Sequence, residues 1–297
     1  MPKKIGLLLI LMVITFGLAV DHLSQRIVSL ETELKVARDL LNRVFTIESK
    51  INTIQNILSQ EKRIRIFRSS QALEEIDDTT ISNVPKEMNF NWGGSITLRV
   101  GRDSFGHFYR ALIKFNEIKK AFKDRKGQVL AATVYLKAEG NSEESPALKQ
   151  ILNLCEIKRN WGEGTSDGAV ARLGESSWIE AAKSQVIELS TKEKEKVNNW
   201  ETPGCWGPHD VDKNYIVATT GPTVNSAADG WVGFPLRSDG IAKLQQQVED
   251  PLAANNGLLL YSANEETIKN NLMSFFSSES ATVINRPYIE IIYVEQD

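Results

Sequence analysis

Apolar residues in the N-terminal part of the chain recur at steps of three and four. Residues 22–64 contain no glycine or proline, and their apolar positions are Leu23, Ile27, Leu30, Leu34, Ala37, Leu41, Val44, Ile47, Ile51, Ile54 and Leu58. This heptad spacing is typical of an α-helical coiled coil, with one stammer near Val44. We therefore predict a coiled-coil stalk over residues 21–64 that forms a homotrimer or a homodimer. A single amphipathic helix folded against the rest of the chain is the alternative.

Beyond residue 64 the apolar pattern changes from helical spacing to alternation. Candidate strands are SITLRV (95–100), YRALIKF (109–115), VLAATVYLKA (129–138), ILNLCEI (151–157), NYIVATT (214–220), GWVGFPL (230–236), NGLLLYS (256–262), LMSFFSS (272–278) and PYIEIIYV (287–294). In the third of these, the alternation places Leu130, Ala132, Val134 and Leu136 on one face. One helix, SDGIAKLQQQV, begins at Asp239 as a candidate N-cap. The pattern predicts a mainly β domain, an antiparallel sandwich or barrel, over residues 65–297.

The first twenty residues have the layout of an export segment. Lys3 and Lys4 precede the uncharged run IGLLLILMVITFGLAV, and Gly17 and Ala19 suit cleavage after Ala19. The apolar run spans about 24 Å as a helix, which is short of a hydrocarbon core of about 30 Å. We predict that residues 1–20 are a signal peptide or an uncleaved membrane anchor on residues 5–20. The rest of the protein is then expected to be extracellular or at the cell surface.

Charge and cysteine content narrow the picture further. The formal net charge is only −3, which argues against nucleic acid as a partner. The two cysteines, Cys155 and Cys205, would lie in a compartment where disulfides form. They are a candidate disulfide, worth roughly 4 kcal/mol by loop-closure entropy, and two unpaired thiols are the alternative.

The order of several motifs resembles the DNRLRE domain family over about residues 75–294. The motifs are DTTISNVPKEMNFNWGGSITLRVG, RALIKFNEI, VLAATVYLKA, WGEGTSDGAVARLGESSW, WETPGCWGPHD, DGIAKLQQQVEDPLAANNGLLLYS and FFSSES with RPYIEIIY. The hexapeptide that names the family is not readable, and residues 179–199 resemble an insertion. The resemblance implies a secreted jelly-roll β-sandwich related to disaggregatase-associated and carbohydrate-binding modules.

Candidate chemistry concentrates in the segment WETPGCWGPHD, residues 200–210. The chain has no Gly-x-Ser-x-Gly turn, no His-Glu-x-x-His motif and no P-loop, so no catalytic residue is predicted. Sugar binding needs an exposed aromatic ring beside polar groups, and the candidates are Trp206, His209, Asp210, Tyr109 and Arg110. Loop carboxylates of Asp167, Asp210 and Asp212 are candidate ligands for a structural calcium ion, although no cofactor is required.

Together these patterns predict a non-enzymatic, multimeric protein whose β-sandwich binds polysaccharide or a cell-surface glycan. One alternative is a structural fibre or envelope component held by contacts between β-sandwich domains. A second is a polysaccharide-active enzyme or its accessory module, which would need two carboxylates about 5–10 Å apart.

Overall fold

The computed structural model describes residues 26, 30, 34, 64–68, 76–122, 126–139, 151–183, 198–220, 230–250 and 252–296. The chain divides into two compact units, Met1–Lys62 and Arg63–Asp297. In the first unit Arg26, Leu30 and Leu34 are helical. The predicted export segment and the rest of the predicted coiled coil lie outside the described residues. None of the helices in the described part of the chain is long and apolar enough to cross a membrane.

The second unit is mainly β, as predicted. Its strands are β1 (Ile64–Arg68), β2 (Ile76–Ser82), β3 (Phe90–Asn91), β4 (Thr97–Arg102), β5 (Phe108–Phe115), β6 (Lys126–Lys137), β7 (Leu152–Ile157), β8 (Ala169–Val170), β9 (Val211–Thr219), β10 (Trp231–Pro235), β11 (Leu258–Ser262), β12 (Met273–Phe276) and β13 (Tyr288–Gln296). Helix α1 is Glu117–Phe122, helix α2 is Ser238–Glu249, and a 3₁₀ helix covers Val283–Asn285. All nine predicted strands are present, while β1, β2, β3, β8 and α1 were not predicted.

The strands form antiparallel sheets in a sandwich-like arrangement. A four-stranded sheet has the order β1-β13-β6-β10, and a seven-stranded sheet has the order β12-β4-β5-β11-β7-β9, with β2 also paired to β5. Strands β3 and β8 form a separate two-stranded sheet. The main core lies between the two larger sheets and draws buried residues from both, including Val134, Phe234 and Ile291 from the smaller and Leu98, Ile113 and Phe275 from the larger.

A bulge changes which side chains of β6 enter this core. Ile292 pairs with Ala131, but Tyr293 pairs with Val129, so Leu130 is the extra residue on its strand. Such a bulge shifts the alternation by one position. Val129 is therefore buried and Leu130 is exposed, which corrects the predicted face at that one residue. Ala132, Val134 and Leu136 lie in the core as expected.

Helix α2 closes one side of the main core. Leu244 and Val248 are buried against it, and Ile241 packs beside them. The predicted N-cap is two residues too late, because Arg237 occupies the cap and Asp239 lies inside the first turn. There its carboxylate still lies at the positive end of the helix dipole.

The seven-stranded sheet is buried on both faces. In β5, Ala111 and Ile113 belong to the main core, whereas Leu112 belongs to a second apolar cluster. In β11, Leu260 and Leu259 divide in the same way. The second cluster is completed by Trp161, Trp178, Trp200, Cys205 and other residues from residues 158–183 and 198–210, which we call the loop layer. The outer face of the four-stranded sheet has a different composition, described below.

Candidate functional site

The segment WETPGCWGPHD is a turn whose polar groups bind each other. The Asp210 carboxylate is fully buried and accepts the backbone N–H groups of Glu201 at 3.0 Å, Thr202 at 3.2 Å and Gly207 at 3.1 Å. The Nε of Arg159 lies 3.0 Å from the same carboxylate. Asp210 therefore holds the loop closed, and its oxygens are occupied by the protein itself.

Trp206 and Arg110 also meet in the structure, but as a packed pair. The Arg110 guanidinium is buried, pairs with Glu265 at 2.5 Å and donates from Nη1 to the Gly204 carbonyl at 2.7 Å. Its Cζ lies 3.7 Å from the Trp206 ring centroid, and the ring also meets Lys213 Nζ at 4.2 Å and the edge of Tyr261. The Arg110 side chain is therefore buried in protein contacts, whereas the Trp206 ring beside it is half-buried.

The two remaining ligand candidates, Tyr109 and His209, differ strongly in their exposure to solvent. Tyr109 is almost fully buried, and burial raises the pKa of its phenol. The His209 side chain is 81% exposed, with Nδ1 at 2.9 Å from Glu201 Oε1. Of the five predicted residues, His209 is therefore the most accessible, and it has no exposed aromatic partner among those five.

The predicted calcium ligands are not brought together into a site. Asp167 is exposed in its loop, Asp210 is buried under backbone donors, and Asp212 pairs with Lys158 at 3.5 Å. Among the described residues there is no group of three or more His, Cys, Asp or Glu side chains arranged to hold a metal.

The predicted disulfide is not formed. Cys155 and Cys205 are both free thiols, buried in the same apolar cluster under the loop layer. Burial raises the pKa of the Cys155 thiol to about 11, so the group is uncharged and unreactive there. Cys205 sits in a left-handed backbone conformation with φ of 57°, directly after the turn glycine Gly204.

A different set of aromatic side chains lies on the outer face of the four-stranded sheet. We call Tyr135, Trp231 and Tyr288 the aromatic patch. Tyr135 and Tyr288 are cross-strand partners with stacked rings 4.7 Å apart, and Trp231 meets Tyr288 edge-on at 5.0 Å. All three are half-buried, because alternation puts their neighbours Val134, Val232 and Ile289 into the core instead.

Polar groups surround the aromatic patch on the same sheet face. Lys137 is the cross-strand partner of Trp231, and its Nζ donates to Asn285 Oδ1 at 2.9 Å. Thr133 and Glu290 form the next cross-strand pair beyond the two tyrosines. Gly233 is the cross-strand partner of Tyr135, and a Cβ there would lie 3.2 Å from the ring. The absence of a side chain on Gly233 thus lets the Tyr135 ring lie against the strand.

The sequence contains a signal for this patch that our prediction did not use. The alternation in VLAATVYLKA, GWVGFPL and PYIEIIYV identifies the core side of each strand, and the aromatic residues fall on the opposite side. Only the strand order, with β13 next to β6 and β6 next to β10, shows that the three rings meet.

Comparison with protein families and with curated proteins identified no relative of this chain. No protein-family model matches the chain, and no curated protein matches it either.

Proposed function

We propose that the β-sandwich binds a polysaccharide or cell-surface glycan, and that the aromatic patch is its binding surface. The observation that carries the proposal is the grouping of Tyr135, Trp231 and Tyr288 on one half-exposed sheet face. Sugar rings present C–H faces that pack on aromatic rings, and their hydroxyls need nearby donors and acceptors. Lys137, Asn285 and Glu290 supply both kinds of group beside the rings.

The patch suits this role better than the segment predicted from sequence. Trp206 is also half-buried, but it stands alone in its loop and packs against the Arg110 guanidinium at 3.7 Å, whereas the patch offers three rings on one face. Residues of the aromatic patch stand on three neighbouring strands, which hold them rigidly in place. A preformed surface of this kind costs little entropy to use.

The rest of the proposed architecture follows from the sequence. In this proposal the domain is a DNRLRE-like jelly roll. Residues 1–20 export the protein or anchor it in a membrane, and residues 21–64 form a coiled coil that multimerises it. Leu30 and Leu34 support the coiled coil, since they are helical, four residues apart and 60% and 54% exposed. Two or three domains on one stalk would raise the avidity of a weak glycan site without new contacts.

The proposal is tested with the full chain on an array of plant, microbial and animal polysaccharides. Trp231→Ala and Tyr288→Ala are each expected to weaken binding by at least about tenfold, as truncation of a central aromatic contact does. The matched control is Phe105→Ala, because Phe105 is an aromatic residue that is 84% exposed and is not in the patch. Unchanged binding by both patch variants, with thermal midpoints near that of the native chain, would refute the patch as the site.

A structural role in contacts between β-sandwich domains is the second candidate. It is favoured by Val283 and Ile284, which are 46% and 69% exposed on the 3₁₀ helix that also carries Asn285. Exposed aliphatic side chains beside a binding surface suit a protein partner better than a sugar. Sedimentation of Ile284→Asp decides this, since loss of self-association with unchanged glycan binding would support the structural role.

A further inference from the structure

A cavity of about 60 Å³ lies beside helix α2, which we call the α2 cavity. Its apolar lining comes from the helix and from strands of both large sheets, and includes Phe115, Val217, Leu244, Leu258 and Ile289. One water molecule occupies about 10–15 Å³ of such a space. The α2 cavity therefore has room for an aliphatic group of about three or four carbon atoms.

Polar side chains line the same cavity. Lys243 of α2 and Glu156 of β7 form an ion pair at 3.4 Å, and their side chains are 45% and 28% exposed. Gln247 and Asn256 contribute half-buried carboxamides, and neither forms a hydrogen bond within the part of the chain that the structure describes. The α2 cavity thus combines an apolar lining with one cation, one anion and two available carboxamides.

The loop before β11 holds the backbone of Asn256 in place. The Trp161 indole N–H donates to the Asn256 carbonyl at 2.7 Å, and the Asn255 carboxamide donates to the Phe115 carbonyl at 2.9 Å. The same Asn255 side chain accepts the N–H of Gly257, which has a φ of 78°. Asn255 therefore braces the loop, while the Asn256 side chain stays available to a ligand. A preformed site of this kind loses little entropy on binding.

The ion pair between Lys243 and Glu156 can be exchanged for a ligand at little cost. Ion pairs that remain in contact with solvent contribute little to stability. A ligand that carries both charges would give each side chain a new partner, with its carboxylate at the ammonium and its ammonium at the carboxylate. A ligand with only one charge would face a like charge across about the same distance.

We propose that the α2 cavity binds a small aliphatic zwitterion of the α-amino-acid class, with its carboxylate at Lys243 and its ammonium at Glu156. The aliphatic side chain enters the apolar part of the cavity, where it is removed from water. The carboxamides of Gln247 and Asn256 hydrogen-bond the charged head. A free amino acid fits better than a residue within a peptide, because only the free molecule carries both charges beside one side chain.

This site is separate from the aromatic patch and does not depend on glycan binding. Ile289 lines the α2 cavity, whereas its neighbour Tyr288 projects from the opposite face of β13. A glycan on the patch and an amino acid in the cavity would therefore contact different faces of the four-stranded sheet.

Calorimetry and thermal unfolding of the full chain with L-valine, L-leucine and L-isoleucine test the proposal. We expect a saturable isotherm with a dissociation constant of about 10⁻⁴–10⁻³ M, and a rise of about 3 °C in the unfolding midpoint at about 10 mM ligand. Isobutylamine and 3-methylbutanoate carry one charge each, and L-serine lacks the apolar group. Each of these three should bind at least about tenfold more weakly. No saturable binding of any of the three aliphatic amino acids would overturn the proposal.

Variants of the lining residues locate the binding. Lys243→Met and Glu156→Gln should each weaken binding at least about tenfold. Lys158→Met is the matched control, because it breaks an ion pair of similar exposure, with Asp212 at 3.5 Å, and should keep native affinity.

Leu258→Phe tests the apolar part of the cavity without changing any charge. Leu258 is half-buried, so the larger side chain can fill the cavity while the strand keeps its place. We expect amino-acid binding to be lost and the unfolding midpoint to stay at or above that of the native chain. Native affinity in Lys243→Met, Glu156→Gln and Leu258→Phe alike would show that the amino acid binds elsewhere, which would overturn the assignment.

Discussion

The two large sheets carry aromatic residues on their outer faces, but in different environments. On the seven-stranded sheet, Trp161, Trp178 and Trp200 of the loop layer are buried in one apolar cluster with residues of the sheet. The indole N–H groups of Trp161 and Trp200 donate to the carbonyls of Asn256 at 2.7 Å and Ser177 at 2.9 Å. On the four-stranded sheet, Trp231 and its two tyrosine neighbours remain half-exposed.

The difference lies in what covers each face. Tryptophans in the glycine-rich loop layer serve as its apolar anchors, because a loop without regular hydrogen bonding needs large buried side chains to hold it. Aromatic residues on β6, β10 and β13 project from strands that are already held by the ladder and the main core. Their outer rings are therefore not needed for folding to the same degree, and they are the better candidates for a ligand.

The largest effect is expected for Arg110→Ala, which removes a side chain of β5 that holds the loop layer through the Gly204 carbonyl. Removing Arg110 leaves Glu265 buried without its partner and removes the cation from Trp206 and Trp178. We expect a loss of about 3–5 kcal/mol in the free energy of unfolding, measured by urea denaturation. The double variant Arg110→Ala with Glu265→Ala should recover part of the loss. A loss below about 1 kcal/mol would contradict a structural role for the pair.

Asp210→Ala should have the next largest effect. It leaves three backbone N–H groups of the loop without their acceptor and removes the carboxylate partner of Arg159. The expected loss of stability is about 2–3 kcal/mol, with circular dichroism as the measure. Asp167→Ala is the matched control, since this exposed aspartate should change stability by no more than about 0.5 kcal/mol. Equal effects of the two substitutions would show that Asp210 does not hold the loop.

Tyr288→Ala probes the other sheet face and should separate stability from binding. It removes the cross-strand stacking with Tyr135 and the edge contact with Trp231. Loss of such a half-exposed pair should cost about 1 kcal/mol, while glycan binding should largely disappear. A stability loss as large as that of Arg110→Ala would remove the distinction between the two faces.

Gly233→Ala should give the smallest change in stability and the finest test of the patch. The new Cβ would lie 3.2 Å from the Tyr135 ring and tilt it without deleting any aromatic side chain. Stability should stay within about 0.5 kcal/mol, because a lower entropy of the unfolded chain offsets the contact. Titration with the glycan found on the array should show a few-fold weaker affinity. Unchanged affinity would indicate that the ring orientation does not matter.

The local pattern of the sequence was sufficient for the elements and for most of the core. Alternation located nine strands, and the helical spacing of Ile241, Leu244 and Val248 located α2. These features depend on neighbours along the chain, since side chains of a strand or helix fall on fixed faces. Leu130, which was predicted on the wrong face of β6, shows the limit of prediction from alternation. A β-bulge is defined by the pairing with the partner strand, so it cannot be recognised from the residues of one strand.

Tertiary structure alone decided which polar and aromatic groups meet. Arg110 was expected to bind ligand, yet its partner Glu265 lies 155 residues away and occupies it. The Asp78 carboxylate accepts the Ser278 N–H across 200 residues of sequence, and the aromatic patch combines strands from three distant segments. Hydrophobic alternation is read one strand at a time, but charge neutralisation, hydrogen bonding and ring packing depend on distances between strands. For this reason the sequence determined the β-sandwich class of the domain, whereas only the folded chain distinguished structural tryptophans from an accessible aromatic surface.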